Sequence, residues 1–172
     1  MKNRFVLWVL FCVSLGIVSL AVAQGPRAQN IEPNKVGYWA ASDIKAAIVQ
    51  LKAGGERPDF PRLNRGNHNF NLNFRNQSGS PEVHMAWTDI YFVQDGEGSL
   101  VYGGKLEGGT ERRPGEWGGG KIVGGTEQKL VAGDIASAPA GMPHQFLVPA
   151  GKTFAYFTVK VAKQDMPPAS GD

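Results

Sequence analysis

The sequence predicts an all-β domain, an antiparallel sandwich or small barrel, with one short helix in front of it. Three observations carry that prediction. Apolar residues recur at helical spacing only near residue 44, and from Asn67 onward the period is two. Short runs rich in Val, Phe and Tyr then alternate with Gly/Pro turn signals such as AGD, PAGMP and PAGK. Such a string of brief strands suits a β-sandwich or barrel better than an α/β fold.

Taken in order, residues 1–23 read as a signal peptide. Lys2 and Arg4 precede an apolar run from Phe5 to Leu20, and Ala21-Val22-Ala23 supplies small residues for cleavage before Gln24. The run approaches the roughly 20 residues a bilayer needs, but the cleavage site favours removal, leaving no stable membrane anchor and a periplasmic or secreted protein. Residues 24–34 are polar and aperiodic, a disordered lead-in to a single domain over 35–163. In SDIKAAIVQLKAGG, Ser42 is the expected N-cap, Asp43 suits the positive helix end, and Ile44, Ala47, Ile48 and Leu51 make one stripe. Gly54 is the stop, so the helix is expected over 42–53. NHNFNLNF then puts Phe70, Leu72 and Phe74 on one strand face. Further strands are expected in VHMAW, DIYFVQ, GSLVYG, KLVAGD, ASAP, QFLV and TFAYFTVKV, with a turn at DGEG. Residues 164–172 read as a flexible tail.

The mature composition excludes several function classes. Removing Lys2 and Arg4 from 18 basic residues leaves 16 against 15 acidic ones, a net charge of +1. No basic cluster remains to suit nucleic acid or an anionic membrane. The single cysteine, Cys12, leaves with the signal peptide, so the mature chain has neither thiol nucleophile nor disulfide. There is no G-x-S-x-G and no full G-x4-G-K-[ST] Walker loop. GGKLEGGTER, starting at Gly103, is echoed by GGKIVGGTEQ, starting at Gly119. Paired glycines flanking short β-type stretches suggest two successive hairpins, though similar turns also select similar residues. Glu111, Arg112, Arg113, Glu116 and Trp117 sit in this glycine-rich 103–125 excursion, as a solvated loop or a lid over a barrel mouth.

Metal chemistry has the better support. Along PEVHMA, residues Glu82, His84 and Ala86 alternate, which puts them on one side of a strand. Asp89 opens the next apolar run, and His144 follows the Pro139-x-Gly141 turn. At these residues the chain resembles the cupins. Their second motif, G-x5-P-x-G-x2-H-x3-N, is met by Gly133, Pro139, Gly141 and His144, with Val148 at the last place. Their first, G-x5-H-x-H-x3-4-E-x6-G, is met by His84, Asp89 and Gly96, with Ala86 for the second histidine and a gap one residue shorter before the acid.

The resemblance spans about residues 35–161. It implies a cupin-type antiparallel β-barrel, the double-stranded β-helix or jelly roll. It also implies one divalent metal ion (Fe, Mn, Zn, Ni or Cu) on His84, Asp89 and His144. Glu82 or a water would stand in for the imidazole that Ala86 lacks. Two histidines and a carboxylate still suffice for a facial triad with open positions. Cupins include oxygenases, isomerases and hydrolases of small molecules, and the fold does not choose among them. A metal-free cupin binding a small ligand is the rival reading, and association through the sheets into a homodimer is a third role. His68 is expected at a strand edge. Trp87, Tyr91, Phe92, Phe146, Phe154, Tyr156 and Phe157 are expected in the core or cavity wall, where aromatic lining would favour a flat or apolar ligand.

Overall fold

The computed structural model describes residues 36–54 and 63–163. The expected signal peptide, the lead-in of 24–34 and the tail of 164–172 lie outside the described residues. The helix, α1, spans Ala41–Lys52. Its N-cap is Ala40 with no side-chain cap, so Ser42 is not the cap. Ser42 lies one residue inside the helix, its hydroxyl 3.4 Å from the Asp43 carboxylate. Gly54, at φ +74°, ends the helix as expected, and its N–H donates to the Leu51 carbonyl.

Among the described residues twelve strands follow, all paired antiparallel. β1 (Leu63–Asn64) and β2 (His68–Arg75) form the first pair. β3 is Glu82–His84, and β4 is the 16-residue strand Trp87–Tyr102. β5 (Lys105–Glu107), β6 (Thr110–Arg113), β7 (Glu116–Gly118) and β8 (Lys121–Val123) occupy the glycine-rich excursion. β9 (Thr126–Val131), β10 (Ile135–Ala138), β11 (His144–Leu147) and β12 (Phe154–Ala162) complete the chain.

β4 is the hinge of the architecture. Residues 87–96 pair with β12 and β10, whereas residues 97–102 pair with β9 and β11. One strand thereby joins two sheets that face each other. DGEG is thus a corner inside β4, not a turn. The register slips opposite Ala155 and Tyr156, and Gly96 adopts φ +78°. A Cβ on Gly96 would stand 1.9 Å from the Thr153 carbonyl oxygen, so only glycine fits. Glycine with polar neighbours marks positive φ, which a strand bulge uses as readily as a hairpin.

Two packed layers result. Between the sheets lie Tyr91, Val93, Leu100, Leu130, Phe146, Phe154 and Tyr156. Their rings stack edge-on or tilted, with Tyr91–Phe146 centroids 4.8 Å apart and Phe146–Tyr156 4.5 Å apart. Outside, α1 lays Ala47 and Ile48 on Leu72 and Ala155, with Phe74 and Phe157 beside them. The alternation of β2 therefore means something unexpected. Its apolar face meets the helix, and its polar face, with Asn71, Asn73 and Arg75, lines the barrel interior.

The glycine echo also folds differently from two successive hairpins. The two copies pair with each other, Leu106 opposite Ile122 in β5–β8. Gly104 approaches the Val123 carbonyl as Gly120 approaches that of Glu107, at hypothetical Cβ distances of 2.3 and 2.2 Å. The excursion is one nested hairpin with a local pseudo-two-fold axis. β6–β7 forms its inner arm and β4–β9 its root.

Candidate metal centre

The inner faces of both sheets converge on a cavity of about 180 Å³. β3 and β11 pair so that His144 stands opposite Glu82. His84 lies two residues along from Glu82, on the same face. The Pro139-x-Gly141 turn acts on both histidines. Gly141, at φ +82°, donates its N–H to the His84 carbonyl at 2.8 Å, and the Met142 carbonyl lies 3.0 Å from His144 Nδ1.

Each imidazole is held by its Nδ1. His84 Nδ1 is 2.6 Å from a carboxylate oxygen of Glu116, and His144 Nδ1 faces the Met142 carbonyl. Both partners only accept, so each Nδ1 carries the proton in the neutral ring and each Nε2 keeps its lone pair. The two Nε2 atoms lie 3.6 and 3.7 Å from the same Asp89 oxygen, and the ring centroids are 5.3 Å apart. His84 Nε2 is buried and has no hydrogen-bond partner among the described residues. A buried nitrogen left in that state is costly unless something binds it.

Glu82, His84 and His144 each present a ligand atom, all within 4.8 Å of one another. Two ligands bound about 2.0–2.2 Å from one ion stand at most about 4.4 Å apart, so small side-chain movements close the site. The Glu82 oxygen is already 3.5 Å from His84 Nε2. The chemistry of this donor set, two imidazoles and a carboxylate, fits a divalent transition metal.

Asp89 reaches the same point but is otherwise engaged. Lys160, its cross-strand partner, donates to both carboxylate oxygens at 2.9 and 3.0 Å, and Tyr91 donates its hydroxyl at 3.0 Å. Asp89 is 3% exposed, and a charge so buried needs these partners. The ammonium therefore competes with any ion for this carboxylate. Ala86 is placed differently from expectation. β3 ends at His84, Met85 and Ala86 form an exposed turn, and Ala86 does not enter the cavity. His68 begins β2, with Nδ1 2.8 Å from Asn67, away from the site.

The electrostatics follow from this geometry. The His84 contact holds the Glu82 carboxyl down to about 2, against the upward pull of burial. Burial presses the His84 pKa down, but Glu82, Asp89 and Glu116 outweigh it and the opposing charge of Lys160, so the net shift is upward. For His144 burial wins over the Met142 carbonyl and Asp89, and its pKa falls. Burial and then the Asp89 charge push Tyr91 far up, so the phenol keeps its proton.

Two strands from the first-motif region and one from the second thus deliver their acidic and imidazole groups to one cavity between sheets joined by β4. The architecture is the two-sheet antiparallel β-barrel that the cupin resemblance implies. Among solved structures, the chain is similar to a cupin protein from Bacteroides fragilis, at 12% identity over 62% of this chain and 75% of that one, with TM-score 0.43. It is similar to a double-stranded β-helix protein from Klebsiella pneumoniae at 21% identity, 63% and 75% coverage and TM-score 0.43. An oxalate oxidase matches at 15% identity, 56% and 42% coverage and TM-score 0.41. No protein-family model matches the chain, and no curated protein does.

Three residues at or beside the site were missed in the sequence. Glu116, read there as loop or lid, sits on β7 directly opposite His84. Lys160 and Arg75 face inward with Tyr156, Thr158 and Asn73, so the lining is largely polar rather than aromatic. The polar alternation in NFNLNFR and TFAYFTVK was the available signal.

Proposed function

We propose that this chain is an exported cupin that holds one divalent metal ion on Glu82, His84 and His144 and takes a small molecule in the adjoining cavity. The observation that supports this most is the pair of imidazoles, each tied at Nδ1 to an acceptor and aimed with Nε2 at a shared point. An ion bound there supplies a Lewis acid with open positions for water or substrate. The chain's own groups hold that arrangement. Glu116 and the Met142 carbonyl set the tautomers, and Tyr91 and Lys160 fix Asp89 beside the ligands. Nitrogen and oxygen donors suit Fe, Mn, Zn, Ni or Cu alike.

A second reading has its own observation. Lys160 already neutralises Asp89, and a protonated His84 satisfies Glu82, so the cavity is also self-consistent as a metal-free binding module. Metal analysis of protein purified without chelator separates the two. Stoichiometric transition metal supports the first, and none after reconstitution supports the second. Export is proposed from residues 1–23 alone. Intact-mass analysis of exported protein should show their loss, and full-length chain in the membrane fraction would contradict it.

A further inference from the structure

We propose that Arg75 and Tyr156 form a subsite for the carboxylate of a small hydroxy- or keto-acid, at the end of the cavity next to the metal ligands. The proposal rests on reading this cavity as a ligand site. Two cations line it, and they differ in commitment. Lys160 gives its ammonium to both oxygens of Asp89. Arg75 makes no ion pair among the described residues. Its one side-chain hydrogen bond among them runs from Nε to the Tyr156 hydroxyl oxygen at 2.7 Å. Among the described residues neither terminal nitrogen has an acceptor, and the Tyr156 hydroxyl, having accepted that bond, keeps its own proton for another acceptor.

This end of the cavity is built to hold the guanidinium. It lies 5.9 Å from the Phe146 ring centroid, within cation–π range. Gly79 makes room for it, since a Cβ there would stand 2.5 Å from Nη1. Tyr156 is 2% exposed. What remains is a donor-only surface, the planar fork of guanidinium N–H groups beside a phenol O–H, which matches the two oxygens of a carboxylate. One uncommitted positive charge balances one negative charge, and Glu82 deeper in the cavity repels a dianion such as phosphate. Asn73, held by its bond to Thr158 at 2.8 Å, lines the same cavity with neutral polar atoms. Glu82 and His144 line the same cavity, where a ligand hydroxyl finds acceptors. The cavity volume of about 180 Å³ suits a small ligand.

The test is titration of the intact, metal-free chain with lactate, lactamide and inorganic phosphate, followed by calorimetry or chemical shifts. Lactate should bind saturably, and lactamide and phosphate about tenfold or more weaker. Arg75→Gln should weaken lactate about tenfold or more, as the loss of a charged hydrogen-bonding partner implies. Circular dichroism checks its fold. Tyr156→Phe keeps the ring and should weaken lactate by a few-fold, which keeps the proposal testable if Arg75→Gln does not fold. No lactate binding, equal binding of lactamide, tighter phosphate, or lactate binding unchanged in either folded variant overturns it. Zn(II) titration of the same proteins without lactate reports on the metal reading separately. Arg75→Gln should leave Zn(II) affinity unchanged, and absence of Zn(II) binding in the unaltered chain would sink that reading while leaving the lactate result standing.

Discussion

Replacing Glu116 with Gln tests how the site is pre-organised without touching a metal ligand. The Glu116 carboxylate lies 2.6 Å from His84 Nδ1 and fixes the proton there. An amide in its place offers either a weaker neutral acceptor or an N–H donor. The second choice would flip the tautomer and turn the Nε2 lone pair into an N–H facing the ion. Groups that orient metal-bound histidines typically contribute 10- to 100-fold to affinity, roughly 1.4–2.7 kcal/mol at about 1.4 kcal/mol per tenfold. Zn(II) affinity, measured by competition with a chromophoric chelator, should fall by that amount in Glu116→Gln. The thermal midpoint of the metal-free protein should move much less, because Glu116 is only half-buried. Unchanged Zn(II) affinity would refute the role assigned to Glu116 and to the Nδ1–H tautomer of His84.

The same geometry sets other outcomes. Gly96→Ala places a Cβ 1.9 Å from the Thr153 carbonyl oxygen at φ +78°, and should cost about 3 kcal/mol, seen as a melting temperature lower by about 10 °C. Ile48→Ala should cost about 3 kcal/mol in urea denaturation while leaving Zn(II) affinity intact, since the helix packs on the outer face. In the metal-free protein, NMR titration should find His84 protonating above the ordinary histidine value of 6.5 and His144 below it. Because His84 takes a proton early, Zn(II) binding should already weaken as pH falls toward 6.5. Glu82 titrates near 2 rather than 4.5, so its contribution to stability is present above 4.5 and lost as pH falls toward 2. The stability gap between the unaltered chain and Glu82→Gln should close over that range in chemical denaturation.

The fold was legible because period-two alternation and Gly/Pro punctuation are local signals. The helix over Ala41–Lys52 and the strands β2, β9, β11 and β12 sit close to where those signals point. The errors came where one local signal serves two structures. DGEG looked like a turn, because bulge and hairpin both demand glycine at positive φ. The PEVHMA alternation was followed one step too far, because the turn at Met85 and Ala86 is set by long-range bonds, Met85 N–H to Gly115 and Lys163 N–H to the Ala86 carbonyl. The Asp89–Lys160 and His84–Glu116 pairs join residues 71 and 32 positions apart, and no spacing rule reaches across such gaps. Period-two alternation does not say which face is interior, and in a barrel with a wet cavity the polar face is, which concealed Arg75, Asn73 and Lys160.

The central claim is that two imidazoles and the Glu82 carboxylate share one ion. Zn(II) or Fe(II) titration of the metal-free chain against four variants tests it most directly. His84→Ala and His144→Ala should each abolish stoichiometric binding, Glu82→Gln should weaken it strongly, and His68→Ala should bind as the unaltered chain does. Equal binding in all four, or loss in His68→Ala alone, would contradict the account.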